Sequence, residues 1–577
     1  MKFKTNQQKD ILDLNKPATK TILWSVIILL YFFPSCNNNR AKPPKQEIVN
    51  TPEQMREKIP DVIRKIIGQI TDNAGKMDSI SILQTDVLKY LYDKTDNEAK
   101  WSREAKWTPA GDSLIRFIKN SMLYGLFPDD YHLESISLIN EKFTNDTEAR
   151  KDVVLWSRAD VLLTDALLQL IKDVKLGRLQ KDSITLRSDS TLSKEFYEQQ
   201  VEKVIQSIAV SRIIDSLEPS LKPYQELRAG IKVFLDSAVF KDYTYVPYPV
   251  FDSVNFKPML KKRLVEEGLL DSSASLKDSI QLAGAIKKYQ KQKKLKVDGK
   301  AGNETIRLLN LTDKDKFFRI ALNLDKYKML PAKMPEKYVW VNLAGYYMQL
   351  RENDSVKIYS RVVVGKPLTR SPELNSAISE MVTYPQWSVP QSIIVKEFLP
   401  ALKKNPGYLA KKGFSLLNNK NEEVDPYFVD WTRYKTGIPY KIIQGSGDDN
   451  ALGVMKFNFP NKYAVYLHDT NQRYLFSQAS RALSHGCVRV QEWQTLTNYI
   501  LSNDSLIARS SGTGSFANSD SVVNWLKNKE KHFITVRNKI PLFIRYFTCE
   551  GKDGKIVFYD DIYNEDYRLR ERYFAGK

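Results

Sequence analysis

The sequence predicts a multidomain α+β chain, and three observations carry that prediction. Its 577 residues are more than one hydrophobic core organises, and the length suggests about three or four domains. Residues 50–250 are mostly helical in pattern; in RADVLLTDALLQLIKDVKLGRL, for example, apolar residues recur at i, i+3, i+4 and i+7. Later the period shortens to two, and KYAVYLH (462–468) alternates apolar and polar residues as a strand does.

Composition bounds the function classes. At 42% hydrophobic and 27% charged the chain is an ordinary globular protein, and its net charge is +20. Such an excess attracts nucleic acid, lipid headgroups or wall polymers at long range, and it also suits a plain solvated lysine surface. No helix-turn-helix, zinc-finger or RNA-recognition pattern accompanies the charge, which argues against nucleic acid. Only three cysteines occur, Cys36, Cys487 and Cys549, so a disulfide scaffold is excluded.

At the N-terminus, TILWSVIILLYFF (21–33) is an apolar run preceded by Lys16 and Lys20. A bilayer span takes about 20 apolar residues, so this run suits the core of a secretory signal better than a permanent helix. Pro34-Ser35-Cys36 and three asparagines follow at once. The arrangement resembles the lipobox of a bacterial lipoprotein, with Cys36 as the acylated residue. Phe33 and Pro34 depart from the usual pattern, and a retained short anchor or plain secretion stay open. The polar stretch NNNRAKPPKQE then reads as a flexible tether. In each case the bulk of the chain is expected outside the cytoplasm.

The helical pattern of the first half ends near Gly177, as a helix stop would. Trp101 and YGLFPDDYHL (124–133) could suggest a ligand groove there, but a lone His132 beside a Pro-Asp turn reads as structural. Residues 280–310 say more. Ile286, Tyr289 and Gln290 share one helix, Val297-Asp298-Gly299 makes a tight turn, and Gly302 and Thr305 open a second helix with Ile306, Leu308 and Leu309. This pattern closely resembles the small three-helix peptidoglycan-binding module.

The chemistry concentrates in residues 444–490. The strand KYAVYLH delivers His468 to its end, and a polar connection leads to Ser484-His485-Gly486-Cys487-Val488-Arg489. Cysteine attacks acyl groups as the thiolate, which needs a base or a positive environment to form near neutral pH. His468 and His485 are two of only four histidines, and Arg489 lies two residues beyond the cysteine. Gly486 permits an unusual φ that helps to aim amide donors at an oxyanion. A buried structural cysteine beside incidental histidines is the competing explanation of these residues alone.

His468, fifteen intervening residues and then Ser484-His485-Gly486-Cys487-x-Arg489 resemble the H-x(15)-[ST]-H-G-C-x-[RN] signature of the L,D-transpeptidase family. NALG (450–453), KFNFPN (456–461) and YLHDT (466–470) resemble its large multidomain branch, and the similarity extends over most of residues 315–565. With the signal peptide read over 1–36 and the tether over 37–52, the resemblance implies a helical scaffold over 53–250. It further implies a peptidoglycan-binding module over 255–312 and a mainly-β catalytic domain over 315–565, with the polar segment 392–440 inserted as a capping lid. It makes Cys487 the nucleophile and His468 the general base, oriented by the Asp469 carbonyl. His485, with the amides of Gly486 and Cys487, would position substrate or hold the oxyanion, and Ser484 would orient His485. Arg489 would bind a stem-peptide carboxylate, a bidentate task suited to arginine. Tyr466 and Trp387 are candidate groove walls, and Cys549 is a structural thiol. The implied activity is 3→3 crosslinking of peptidoglycan stem peptides in wall biogenesis, with release of D-alanine. No metal or cofactor and no nucleic acid takes part, and the location is a periplasmic, membrane-anchored lipoprotein. An L,D-carboxypeptidase and a non-catalytic wall-binding lipoprotein are the alternatives. A papain-like endopeptidase fits poorly, because there the cysteine precedes its histidine.

Overall fold

The computed structural model describes residues 44–247, 253–275, 278–511 and 518–574. The apolar run 21–33 and the lipobox at Cys36 lie outside the described residues.

The first domain is built round one helix, Val153–Lys175, opened by Asp152, whose carboxylate accepts from the Val154 amide at 2.9 Å. It is buried on nearly every side, its apolar residues interspersed with the buried carboxylates of Asp160, Asp165 and Asp173. Helices Pro52–Asp72, Thr85–Asp93, Pro109–Lys119, Leu133–Asn145 and Lys194–Ser207 pack on it, several capped by threonine or serine hydroxyls. Fully burying a leucine, isoleucine or valine here contributes about 1.5–3 kcal/mol each.

The carboxylates buried in this core are hydrogen-bonded. Asp160 accepts from the Tyr92 phenol at 2.6 Å and from the Trp101 amide at 2.8 Å. Asp165 accepts from the Gln84 amide at 2.8 Å and meets His132 Nε2 at the same distance. Trp101 is fully buried with its indole on Thr164, and the Tyr131 phenol donates to Asp173. The aromatic run 124–133 is therefore scaffold core rather than groove. The helix stops as the sequence expects: Gly177 takes φ +74°, and Asp325 occupies the space a side chain there would need.

The small module has helices Ser253–Glu266, Ser279–Gln292 and Asn303–Asn310 around Leu264, Ile286, Tyr289, Ile306 and Leu309. Its Tyr-Gln and Asp-Gly signatures have one physical cause. The Gln290 carboxamide donates to Asp298, the Lys300 carbonyl and Thr305, and accepts from the amides of Asp298 and Gly299. One side chain thus pins the turn to both helices.

Helix Asp313–Lys328, opened by a Thr312–Asp315 capping box, leads into a sheet that closes on itself. Its strands are β1 (Lys337–Asn342), β2 (Tyr347–Glu352), β3 (Ser355–Gly365), β4 (Leu374–Thr383), β5 (Met455–Asn458), β6 (Leu467–His468), β7 (Ala482–Ser484), β8 (Val488–Val490) and β9 (Phe533–Arg545). Pairing runs β3-β8-β6-β5-β4-β9-β1-β2 and returns to β3, with β7 added beside β3. The closed ring leaves no free edge among these eight strands, and Val341, Val362, Ile378, Phe457, Val488 and Leu542 fill its interior.

Two further contacts fix the architecture. Scaffold helix Lys222–Leu235 lies on the hairpin Cys549–Lys552/Lys555–Phe558 so closely that a Cβ on Gly551 would stand 2.0 Å from Glu226 carbon. Cys549 is fully buried in that interface, and burial holds its thiol well above the ordinary value. The inserted segment is more than a polar excursion. With Trp387–Ser388, Phe414–Leu417 and Lys441–Gln444 it forms a three-stranded sheet over its own core of Ile394, Leu402, Leu409, Leu416, Trp431 and Ile442. Those apolar residues are scattered over short elements, so no single stretch of sequence looks amphipathic.

Candidate active site

Strands β6 and β8 run parallel, with Leu467 opposite Val488 and His468 opposite Arg489, and the Val488 amide donates to the Tyr466 carbonyl at 3.1 Å. Side chains alternate along a strand. Tyr466 and His468 therefore share a face with Cys487 and Arg489, and two segments nineteen residues apart become one site.

His468 is 3% exposed. Its Nδ1 meets the Asp469 carbonyl at 2.5 Å, which places the ring proton on Nδ1 and leaves Nε2 as the acceptor. Burial, then the charge of Arg489, pushes its pKa down to about 3. Asp469 is itself fixed: its carboxylate accepts from the Val454 amide at 3.1 Å and from Arg473 at 3.0 Å. It thus offers the site its carbonyl, while its side chain is engaged away from any substrate.

Cys487 is half-buried. Burial raises its thiol pKa, partly offset by hydrogen bonds from the Tyr466 amide and phenol and by the charges of Lys456 and Arg489. Thiol and imidazole are thus both neutral across the middle of the pH range, a poised pair rather than a preformed ion pair. The thiolate fraction grows with pH until the raised thiol pKa is reached. Alkylation of Cys487 by iodoacetamide should therefore climb about tenfold per pH unit from pH 6 to 8. A rate already level across that range, read by mass mapping of the Cys487 peptide, would instead indicate a thiolate–imidazolium pair.

The loop before Cys487 differs in detail from expectation. Gly486 has φ +125°, which suits glycine alone. Its amide donates to Ser484 Oγ at 3.1 Å, and that hydroxyl donates to the Cys487 carbonyl at 2.6 Å. Ser484 therefore shapes the loop and does not orient His485, and the Gly486 amide is committed to Ser484 rather than to an oxyanion. His485 Nε2 instead meets Glu397 of the inserted subdomain at 2.6 Å. Arg489 reaches Gln472 at 3.0 Å through Nη1, while its buried Nε has no hydrogen-bond partner among the described residues. A guanidinium so placed can still take a carboxylate.

Around Tyr466, Lys456 Nζ lies 4.0 Å from the ring centroid and the His468 ring is 5.6 Å away, while Trp387 stands edge-on to Phe414 at 5.9 Å. Several participants carried no sequence signal of their own. Ser371 donates to the Gly486 carbonyl at 2.7 Å, Glu397 comes from the helical turn Ile394–Phe398 and Gln472 from the connection just after His468. Lys456 and Gly453 sit inside KFNFPN and NALG, where the motif context was the only hint of a role.

Comparison with known proteins agrees with this layout. Residues 336–509 match the family described as "L,D-transpeptidase catalytic domain", residues 86–230 match "Scaffold domain", and residues 258–309 match "Putative peptidoglycan binding domain". A Haemophilus influenzae protein named "Putative L,D-transpeptidase" is 32% identical over 251 residues, a match spanning 44% of this chain and 48% of that relative. Solved structures of L,D-transpeptidases from Mycobacterium smegmatis and Stackebrandtia nassauensis are similar at 10% and 13% identity, covering 36% and 53% of this chain and 58% and 96% of theirs. Their TM-scores of 0.17 and 0.15 are too low for that likeness to carry weight.

Proposed function

From a chain that carries an L,D-transpeptidase catalytic domain, a scaffold domain and a peptidoglycan-binding type of module, we propose an enzyme that crosslinks peptidoglycan stem peptides 3→3 through a Cys487 acyl-enzyme. The observation that carries this reading is the common face of Tyr466, His468, Cys487 and Arg489. Cys487 attacks the L,D-amide between residues three and four of a donor tetrapeptide while His468 Nε2 takes the thiol proton. That proton passes to the departing amine, D-alanine leaves, and a thioester remains. The side-chain amine of an acceptor's diamino acid then attacks, His468 accepts its proton, and the thiol is restored. Arg489 suits a carboxylate of the stem. Water in place of the amine would give carboxypeptidase chemistry from the same intermediate. Acylation at Cys36 and work outside the cytoplasm, at the cell envelope, belong to the same proposal and rest on the N-terminal sequence.

Protein lacking residues 1–36 should convert disaccharide-tetrapeptide into a dimer that has lost one D-alanine, as read by mass spectrometry, and Cys487→Ala should not. D-alanine release that persists in Cys487→Ala would sink the assignment. Cysteine-dependent release without dimer would favour the carboxypeptidase.

A further inference from the structure

We propose that the outer face of the small module's second helix, Ser279–Gln292, with the turn beside it, is a docking surface for an anionic lipid bilayer. The inference goes beyond the crosslinking reading and uses none of the residues around Cys487.

Residues 287–300 hold seven lysines against a single carboxylate, Asp298. All seven lysines are exposed. Asp298 Oδ1 is already taken by the Gln290 carboxamide and the Lys300 amide. The module's ion pairs, Arg263–Glu267 and Arg307–Asp560, belong to its other two helices, and among the described residues none of the seven lysines joins one. Like charges packed this densely repel one another, and an anionic surface relieves that repulsion.

The charge is arranged on one side. Ile280, Gly284, Lys287 and Lys291 follow one another at helical spacing and share a face, while Ala285, Ile286 and Tyr289 on the opposite face fill the module's core. Space outside Gly284 is open, with nothing within 4 Å of a Cβ placed there. The turn at Gly299 packs beside the same face, since a Cβ on Gly299 would stand 3.3 Å from the Ala283 carbonyl and 3.0 Å from Lys287 Cε. A partner can therefore cover this surface without disturbing the core.

Two aliphatic side chains select the partner. Ile280 is 83% exposed and Val297 is 51% exposed, among the lysines. An anionic wall polymer would satisfy the lysines and leave both aliphatic groups in water. A bilayer offers phosphates to the ammonium groups and an apolar boundary to Ile280, Val297 and the lysine stems. Each lysine held near an anionic leaflet strengthens binding about fivefold, and at about 0.1 M salt only charges within about 10 Å of the surface contribute.

The test is sedimentation with lipid vesicles at about 0.1 M salt, using protein that lacks residues 1–36 and keeps every described residue. The protein should bind vesicles containing phosphatidylglycerol and leave pure phosphatidylcholine vesicles alone. Changing Lys287, Lys288, Lys291 and Lys294 together to glutamine should weaken binding at least tenfold. The same change at Lys403, Lys404, Lys411 and Lys412, exposed lysines of the inserted segment, should weaken it less than about threefold. Ile280→Ser, which leaves the charge untouched, should weaken it about fivefold. Equal losses in the two lysine variants would overturn the proposal, because diffuse net charge would then account for binding. So would Ile280→Ser binding as tightly as the parent, or a module variant that loses purified sacculi but keeps the vesicles, which would make a wall polymer the partner. No substrate enters the assay, so its outcome is independent of whether the enzyme crosslinks.

Discussion

Replacing His468 with glutamine should lower kcat about a thousandfold and leave KM within about threefold, because a positioned general base contributes typically 10²–10⁴ to rate. Glutamine approximates the ring's size but cannot accept and return a proton. The loss falls on kcat because His468 is buried behind the strand end, and its Nδ1 is spent on the Asp469 carbonyl rather than on substrate. Steady-state D-alanine release would measure both constants. A KM that rises as far as kcat falls would make His468 a binding residue instead. The acid limb of wild-type activity should follow the imidazole, whose pKa is held down to about 3. The base stays neutral as pH falls through 6.5, where an unperturbed histidine would take up its proton. Rates measured from pH 4 to 7 should therefore stay level, with no break near 6.5.

Gly453→Ala should be nearly as damaging, though Gly453 touches no substrate. The residue takes φ +62°, and a Cβ there would stand 2.3 Å from Asp469 Oδ2 and 2.6 Å from the Thr470 amide. Asp469 is held on both sides, its Oδ2 by the Val454 amide and its own amide by the Met455 carbonyl at 2.9 Å, so it has little room to yield. The alanine must push the segment that fixes the His468 ring. A misplacement of about 1 Å costs on the order of 10² in rate, so kcat should fall about a hundredfold. The melting temperature of the catalytic domain should drop by about 5–10 °C for the roughly 2–3 kcal/mol of strain and clash. Gly445→Ala, in the same connection but with nothing within 4 Å of its Cβ, is the control and should be silent in kcat and in a thermal melt. Equal effects in the two variants would refute the account.

Several features were legible because a short stretch of chain contains their whole cause. The buried helix Val153–Lys175 has a dense apolar pattern at helical spacing and a glycine stop. The Gln290 turn spells out its own donors and acceptors within sixteen residues, from Gln290 to Thr305. The pairing of His468 with Cys487 followed from a fixed spacing, and strand alternation then places both on one face. The remainder was hidden for a different reason. Ser484 could be counted but not aimed, because whether its hydroxyl meets His485 or the Cys487 carbonyl depends on the φ of Gly486 and on Ser371 holding the Gly486 carbonyl from more than a hundred residues away. Likewise the inserted segment read as polar because its buried residues come one or two at a time from many short elements.

By itself, the sequence determined which groups this protein can use and where along the chain they are concentrated, since residue chemistry and local periodicity are properties of contiguous segments. Only the tertiary structure decided their state. Burial pushes the Cys487 thiol pKa up and the His468 imidazole pKa down, and Glu397 of the inserted segment meets His485 at 2.6 Å. Desolvation and hydrogen-bond direction are set by atoms distant in sequence, and those are brought together only when the ring of strands closes and the inserted segment packs beside it.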